Sequence, residues 1–357
     1  MPSRHALLSA SSSERWLCCP PSARLEETIP EKASAYAAEG TLAHSKAEEK
    51  LTNYLDGHPR KKVKCPDGEM DEATTNYRNY VIEVLNAEKK KDPCAQLFVE
   101  VEVDLSKWIP EGFGTSDAVV VSTDTLHVID FKYGAGVPVN AYHNSQLLLY
   151  AAGTMNIYEP LYGFRNITVH IYQPRIDHFD SYTTTVEDLE KWLEGTVRPM
   201  AKMAYAGEGK QMPGEWCRFC KVKANCRARA QMQEETAEKS KMLNGMLLKD
   251  DEIADLLPRL KEMTAWAKDL QEYALEQALS GTKYRGYKVV EETSRRKITD
   301  DVEAMNRLQT AGYQYTDITE TKLKTITELQ KLVGKNELPK VLGDTLVKPP
   351  GAPTLVP

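Results

Sequence analysis

The pattern of apolar and polar positions predicts a group of strands in the middle of the chain. Residues 96–104 show a strong alternation of apolar and polar side chains, which is typical of a half-buried strand. Two apolar segments, 118–121 and 126–129, flank the polar turn 122–125 and together predict a β-hairpin. Two further strands are predicted, over 167–173 and in a short segment ending at 183–186.

Helical periodicity, with apolar residues three and four positions apart, occurs on both sides of these strands. It predicts helices over 11–17, 33–55 and 72–89, another that opens at Asn144, and one over 187–205. The resulting order of helices, strands, helix, strands and helix predicts an α/β domain with a mixed central sheet.

The last third of the chain is predicted to be mainly helical. Residues 230–277 are charged and carry the helical pattern, with Pro258 as a break or kink between two long helices. A strand over 284–290 and helices over 300–311 and 325–333 follow, and the proline-rich end should be extended. We therefore divide the chain into domains at 1–230 and 231–347 and a tail at 348–357.

Two acids of the hairpin are candidates for a metal site. Asp117 lies where the first strand begins and Asp130 where the second ends, so antiparallel pairing makes them neighbours. Lys132 is two residues after Asp130 and shares its strand face. Two adjacent carboxylates repel unless a cation lies between them, which favours a hard divalent ion. The alternative is a set of strand-end charges that pair in solvent.

Three other polar residues could face the same place. His44 lies on the predicted helix 33–55, and Gln146 and Tyr150 lie four apart on the helix that follows the hairpin. Ordinary core or surface positions are the alternative for each of them. Glu100, on the alternating strand, shares a face with Glu102 and Asp104 that should be solvated, although Glu100 would reach the acid pair if its strand adjoined the hairpin.

Three of the seven cysteines crowd together at Cys217, Cys220 and Cys226. Spacings of two and five intervening residues let three thiolates reach one centre, and Cys18 or Cys19 could supply a fourth. Four thiolates suit zinc or an iron–sulfur cluster. Zinc sites usually combine two close cysteine pairs, which a three-plus-one arrangement fits poorly.

Composition limits the class of protein. The 357 residues include 27% charged and 41% hydrophobic residues, which is ordinary for a globular protein with a sizeable core. A net charge of −6 argues against a protein coated by nucleic acid but allows a local basic groove. Without a run of about 18 apolar residues or a secretory signal, the sequence predicts no membrane span and a cytoplasmic protein. Three basic clusters are candidates for the groove or for solvated faces: 60–64, 218–229 and 295–297.

Taken together, these motifs resemble those of a known superfamily. Gly114-x-x-Asp117, Asp130-x-Lys132 and Gln146-x-x-x-Tyr150, with His44 upstream, resemble the motif series of RecB-like nucleases of the PD-(D/E)xK superfamily. The cysteine layout resembles the iron–sulfur staple of AddB-type and CRISPR-adaptation nucleases. The segments 13–16, 126–134 and 214–221 resemble those of a phage and prophage family of that type. The resemblance covers residues 1 to about 230 strongly and the remainder weakly.

The resemblance implies a restriction-endonuclease-like core and a metal-dependent DNA nuclease, with exonuclease action in phage DNA replication or recombination. Asp117, Asp130 and His44 would bind Mg²⁺ or Mn²⁺, Lys132 would position or activate the attacking water, and Gln146 and Tyr150 would contact DNA or brace the site. A [4Fe–4S] cluster would be held by four cysteines, Cys19, Cys217, Cys220 and Cys226.

The sequence leaves open alternatives to an active nuclease with an iron–sulfur cluster. The chain could be a DNA-binding or assembly subunit that keeps a nuclease fold without turnover, or a nuclease stapled by zinc. Cys18 stands beside Cys19, so the fourth cluster ligand is open between them. The C-terminal helices could form a homo-oligomer, a DNA clamp or a docking surface for a phage single-strand-binding or recombination protein. The expected location is the cytoplasm of a bacterial host.

Overall fold

A mixed β-sheet organises the larger part of the protein. The computed structural model describes residues 6–30, 35–241, 247–291, 298–320, 322–334 and 336–347. Within these residues five strands are hydrogen-bonded in chain order, and only β3 and β4 run parallel. They are β1 Gln96–Asp104, β2 Phe113–Val121, β3 Thr125–Phe131, β4 Asn166–Gln173 and β5 His178–Thr185. The predicted α/β class with a mixed sheet flanked by helices is confirmed.

Helix α5, Ser145–Tyr158, lies between the two parallel strands in sequence and packs on the sheet. A parallel pair needs such a crossover, since the end of the first strand and the start of the second lie at opposite ends of the strands. The side chain of Asn144 caps the helix by accepting a hydrogen bond from Leu147 N at 3.2 Å. Leu147 and Leu149 are fully buried, so α5 is anchored firmly beneath the strands.

The alternation along β3 builds two hydrophobic cores. Leu126 and Val128 face the core that contains α5, here called the α5-side core. Ile129 and Phe131 face the opposite core, here called the α4-side core. The helices that accompany the sheet are α3 Ala35–Leu55, α4 Gly68–Lys89, α6 Val186–Trp192 and α7 Arg198–Ala206.

The N-terminal segment packs against the same unit. Helix α1, Ser13–Cys18, and helix α2, Ser22–Glu27, both contact α7. Pro20 and Pro21 separate the two helices, as proline does where it interrupts the helical hydrogen bonds. Two longer helices, α8 Arg227–Lys241 and α9 Asp250–Leu279, follow the cysteine-rich segment.

The chain divides into two compact units, Met1–Pro66 with Met70–Gln271, and Asp67–Glu69 with Glu272–Pro357. The second contains short helices, and two of them begin with side-chain caps at Asp300 and Thr325. The predicted helices over 300–311 and 325–333 are therefore confirmed. These helices are α10 Asp301–Thr310, α11 Tyr315–Ile318, α12 Ile326–Val333 and α13 Leu338–Leu342.

Two details of the C-terminal prediction are wrong. Pro258 lies inside α9, so the break predicted at this residue is wrong. Helix α8 ends at Lys241 and α9 begins at Asp250. Residues 284–290 form no strand, since they are exposed and pair with no other strand in the described chain. The predicted tail at 348–357 lies outside the described residues.

Candidate active site

Asp117 and Asp130 meet where β2 and β3 run side by side. The pairing of Ala118 with Ile129 places the two acids at adjacent positions of the antiparallel strands. Asp117 is half-buried and accepts a hydrogen bond at Oδ2 from Phe131 N, 2.7 Å away. Asp130 is only 3% exposed, so the alternative of strand-end charges paired in solvent does not hold for it.

Lys132 and α5 close the other side of this acid pair. Lys132 Nζ lies 3.0 Å from Asp130 Oδ2 and donates to Gln146 Oε1 at 3.1 Å. Gln146 Nε2 donates to the hydroxyl of Tyr150 at 3.2 Å. Gly114 makes room for that ring, because a Cβ at residue 114 would lie 2.9 Å from Tyr150 Cε1. The four predicted residues 130, 132, 146 and 150 thus form one hydrogen-bonded set.

His44 reaches the acid pair from α3, on the opposite side of the sheet from α5. Its Nδ1 lies 3.2 Å from Asp117 Oδ1, and its ring packs edge-on against Phe131 at a centroid distance of 5.4 Å. The structure therefore places six predicted residues together, from two helices, two strands and the residue that follows β3: His44, Asp117, Asp130, Lys132, Gln146 and Tyr150.

Burial and charge set the protonation of this group. Burial raises the pKa of Asp130, although Lys132 opposes the rise. Burial alone would lower the pKa of Lys132, but the charges of Asp130 and Asp117 outweigh it and leave that pKa above its usual value. Lys132 is therefore an ammonium group, which donates hydrogen bonds and stabilises negative charge rather than accepting a proton.

Burial and neighbouring charges also set the pKa values of His44 and Tyr150. Burial acts to lower the pKa of His44, but its contact with Asp117 and the charge of Asp130 raise it overall. Burial raises the pKa of Tyr150 to about 12, so its hydroxyl keeps its proton and serves as a hydrogen-bonding group.

Glu100 departs from the expected solvated face. Glu102 and Asp104 are exposed as predicted, but Glu100 is half-buried and adopts a left-handed backbone conformation with φ of 50°. Burial, together with the charges of Asp117 and Glu48, raises the pKa of its carboxyl to about 7. The alternating sequence pattern predicts a solvated side chain for Glu100 only if the strand is regular throughout, and at this residue it is not.

The carboxylate oxygens at this site suit a hard cation. Among the described residues, no three His, Cys, Asp or Glu side chains stand close enough together to hold a metal ion as they are placed. Asp130 Oδ2 is buried and makes no hydrogen bond of acceptable geometry, even though it forms a 3.0 Å ion pair with Lys132. A carboxylate oxygen in that condition is a suitable ligand for a divalent ion. Metal binding would exchange the His44–Asp117 contact for contacts with the ion.

Four cysteines line a single cavity away from the acids. They are Cys19, Cys217, Cys220 and Cys226, and Cys18 is not among the lining residues. Burial raises the pKa of Cys217 and raises that of Cys220 to about 12, so neither resembles an activated nucleophile.

Glu26 joins the N-terminal segment to the cysteine-rich segment beside this cavity. Its carboxylate lies 2.6 Å from Arg15 Nη2 and also accepts a hydrogen bond from Lys221 N at 2.6 Å. Arg15 donates in turn to the carbonyl of Phe219 at 3.2 Å. Cys19 is therefore held next to the three later cysteines by contacts of the chain itself.

The basic clusters differ in exposure. Arg60, Lys61, Lys62 and Lys64 are exposed on the loop between α3 and α4. Arg229, by contrast, is buried and pairs with Glu262 and Asp269, so it belongs to the interior of the cysteine-rich region. The cluster 295–297 lies outside the described residues.

Comparison with known proteins adds a family but no established activity. One solved structure to which the chain is similar is described as "Crystal structure of SSO0001"; the two are 13% identical, over 60% of this chain and 96% of the other, with a TM-score of 0.24. So low a score carries no conclusion about this protein. No helix in the described part of the chain is long and apolar enough to cross a bilayer. The family model described as "Protein of unknown function (DUF2800)" matches residues 5–357, nearly the whole sequence, and the chain therefore belongs to the DUF2800 family.

Proposed function

We propose that this protein is a Mg²⁺- or Mn²⁺-dependent DNA nuclease of the RecB-like PD-(D/E)xK type, acting on the ends of linear DNA. The observation that carries the proposal is the convergence of Asp117, Asp130 and Lys132 on one site, with Asp130 buried and Lys132 fixed by Gln146. The motif resemblance supports it independently. The role in phage DNA replication or recombination and the bacterial cytoplasm as location rest on that resemblance alone.

Each residue has a role that its contacts allow. Asp117, Asp130 and His44 would hold the cation, which when bound supplies an activated water and stabilises charge on the phosphate. Lys132, as an ammonium, would donate hydrogen bonds to that water or to a phosphate oxygen. Gln146 holds Lys132 by accepting one of its protons, and Tyr150 steadies Gln146 through the next hydrogen bond.

We propose further that Cys19, Cys217, Cys220 and Cys226 hold a [4Fe–4S] cluster. The cavity that all four line supports this assignment, as does the burial of Cys217 and Cys220 within it. A thiolate ligand must lose its proton, so loading would release protons from the buried thiols. Such a cluster would join segments about 200 residues apart, and its main effect would be to stabilise the fold. A zinc ion is the alternative that metal analysis distinguishes.

The proposal is tested by DNA hydrolysis with the substitution Asp130→Asn. Asparagine keeps the size of the side chain and an acceptor oxygen for Lys132, so the fold should survive. Linear DNA should be degraded by the wild-type protein with Mn²⁺, and Asp130→Asn should slow the reaction by about 100-fold or more.

Asp124 provides the matched control, because it lies in the turn of the same hairpin with an exposed side chain. Asp124→Asn should leave the rate unchanged. DNA binding by the wild type without any hydrolysis in Mg²⁺ or Mn²⁺ would instead support the non-catalytic DNA-binding subunit.

A further inference from the structure

Strand β1 changes face at Glu100. Leu97 and Val99 belong to the α4-side core, whereas Val101 and Val103 belong to the α5-side core. In a regular strand, residues two apart share a face, so all four odd-numbered residues should face one core. The left-handed backbone of Glu100, with φ of 50°, lies at the point where the strand turns over. Non-glycine residues in this conformation cost of the order of 1–3 kcal/mol and need a compensating environment.

The register brings this irregular residue to Asp117. Val99 pairs with Ala118 and Val101 pairs with Ser116, so Glu100 lies across the strands from Asp117. Like charges at opposed positions of neighbouring strands repel each other and destabilise a sheet.

Among the described residues, the charge of His44 is what opposes this repulsion at Glu100. The described residues give it no hydrogen bond and no ion pair, although it is half-buried. On its other side lies α3, which contributes the acid Glu48 as well as His44. Glu102, one pleat further along β1, is exposed to solvent. The strand therefore directs Glu100, and not Glu102, towards the proposed active site.

A second, independent feature points to a cation at the same place. Asp130, on the strand beyond Asp117, is 3% exposed, and its Oδ2 accepts no hydrogen bond of acceptable geometry although it lies 3.0 Å from Lys132 Nζ. Asp117, Asp130 and Glu100 together carry three negative charges when ionised, and Lys132 supplies one positive charge. A divalent ion would balance the remaining two, whereas the acid pair and Lys132 alone would leave only one to balance.

We propose that Glu100 is a third carboxylate of the divalent-cation site, binding the ion or one of its water molecules from the β1 side. This inference rests on the proposed nuclease function and extends it. Asp117 would then be shared between Glu100 on one side and Asp130 on the other. Lys132 and Gln146 would remain on the α5 side, free to contact the phosphate.

The test is a titration of the full-length protein with Mn²⁺ in the absence of DNA, followed by isothermal calorimetry. Three variants are compared with the wild type: Glu100→Gln, Glu102→Gln and Asp130→Asn. Glu100→Gln should weaken Mn²⁺ binding about tenfold or more, by analogy with the loss of other groups that support a metal site. Glu102→Gln is the matched control on the same strand and should bind as the wild type does. Thermal unfolding of each variant without metal establishes that it is folded.

The outcomes separate the inference from the proposed function. If Asp130→Asn weakens binding and Glu100→Gln does not, the cation site stands and the role of Glu100 is refuted. If the wild type binds no Mn²⁺, the proposed function fails and the role of Glu100 fails with it. Should Glu100→Gln unfold, Glu100→Asp serves in its place: it keeps the charge on a shorter side chain, so wild-type affinity together with a wild-type DNA hydrolysis rate would refute the assignment.

Discussion

At the scale of single residues, a chain of buried polar groups runs beneath the sheet on the α4 side. Tyr80 Oη lies 2.9 Å from His170 Nδ1, and His170 Nε2 lies 3.0 Å from His127 Nδ1. The far nitrogen of His127 faces Glu88, whose carboxylate also accepts from Ser122 and Lys91. The two hydrogen bonds between these rings and Tyr80 form when Tyr80 donates to a neutral His170, which donates to a neutral His127. Adding a proton to either imidazole ring would remove the acceptor nitrogen that this arrangement requires.

This arrangement predicts a loss of stability in acid. Burial, with the charge of His127, lowers the pKa of His170 to about 3, whereas an unfolded histidine titrates near pH 6.5. Below about pH 6.5 the unfolded chain takes up a proton that folded His170 refuses, so stability falls as pH drops toward 3. Between pH 7 and 4.5 the loss from this residue should be about 2–3 kcal/mol.

Urea unfolding at the two pH values measures this loss, with His170→Gln as the test variant. The variant should be less stable at pH 7, since the hydrogen bonds change, but its difference between pH 7 and 4.5 should shrink by about 2–3 kcal/mol. An undiminished difference would show that His170 does not titrate as its burial implies.

The sequence could predict most of the site at this scale, for a physical reason. Asp117, Asp130 and Lys132 belong to one hairpin, where pairing follows from local pattern and fixes which ends meet. The sequence left Glu100 open between a solvated face and the acid pair, because its orientation depends on a left-handed backbone that alternation does not encode. The contact of His44 with Asp117 also required the packing of α3, which spacing along the helix does not determine.

At the scale of elements, α5 packs closely against β1 at Gly153. A Cβ on Gly153 would lie 2.6 Å from Val103 Cβ, and Leu105 is also within 3.2 Å. The helix carries Gln146 and Tyr150, so its distance from the sheet sets how these side chains reach Lys132 and Gly114. Gly153 is therefore required for close packing and not for helix flexibility.

Gly153→Ala and Gly40→Ala should have opposite effects on stability. Alanine normally stabilises a helix interior by about 1 kcal/mol relative to glycine, and Gly40 in α3 has open space for a Cβ. Gly40→Ala should thus stabilise the protein, whereas Gly153→Ala should destabilise it by about 1–3 kcal/mol through overpacking. Chemical denaturation of both variants checks the signs. Stabilisation by Gly153→Ala would mean that α5 can move away from β1 freely.

The elements themselves were largely predictable where a pattern was long and both partners were present. Strand β1 has the predicted bounds, and α12 begins at a capping box formed by Thr325 and Glu328. The error at 284–290 has a clear cause, since those β-branched and aromatic residues have no partner strand among the described residues. Local preference alone does not make a strand, because its backbone groups must pair.

At the scale of the whole molecule, the cysteine cavity joins the beginning of the first unit to its end. Cys19 follows α1, while the other three cysteines follow α7. Arg229, 2% exposed, extends this junction by pairing with Glu262 and Asp269 of α9. A cluster bound here would close a loop of about 200 residues. In principle, the stabilisation gained by closing a loop increases with the length of the loop.

The two adjacent cysteines provide a direct comparison. Cys19 lines the cavity and Cys18 does not, so Cys19→Ser should lose bound iron and sulfide while Cys18→Ser keeps them. Iron and acid-labile sulfide in anaerobically purified protein are the measurement, and a lower melting temperature should accompany their loss. Zinc in place of iron would contradict the cluster, and equal iron in both variants would contradict the choice of Cys19.

The central claim concerns what Asp117, Asp130 and Lys132 do together, and DNA hydrolysis by a Lys132 variant tests it most directly. End-labelled linear DNA and closed circular DNA are incubated with Mn²⁺ and either the wild type or Lys132→Met. We predict that the wild type degrades linear DNA and spares the circle, and that Lys132→Met binds Mn²⁺ but hydrolyses at least about 100-fold more slowly. Hydrolysis by Lys132→Met at the wild-type rate, or none by the wild type, would contradict it.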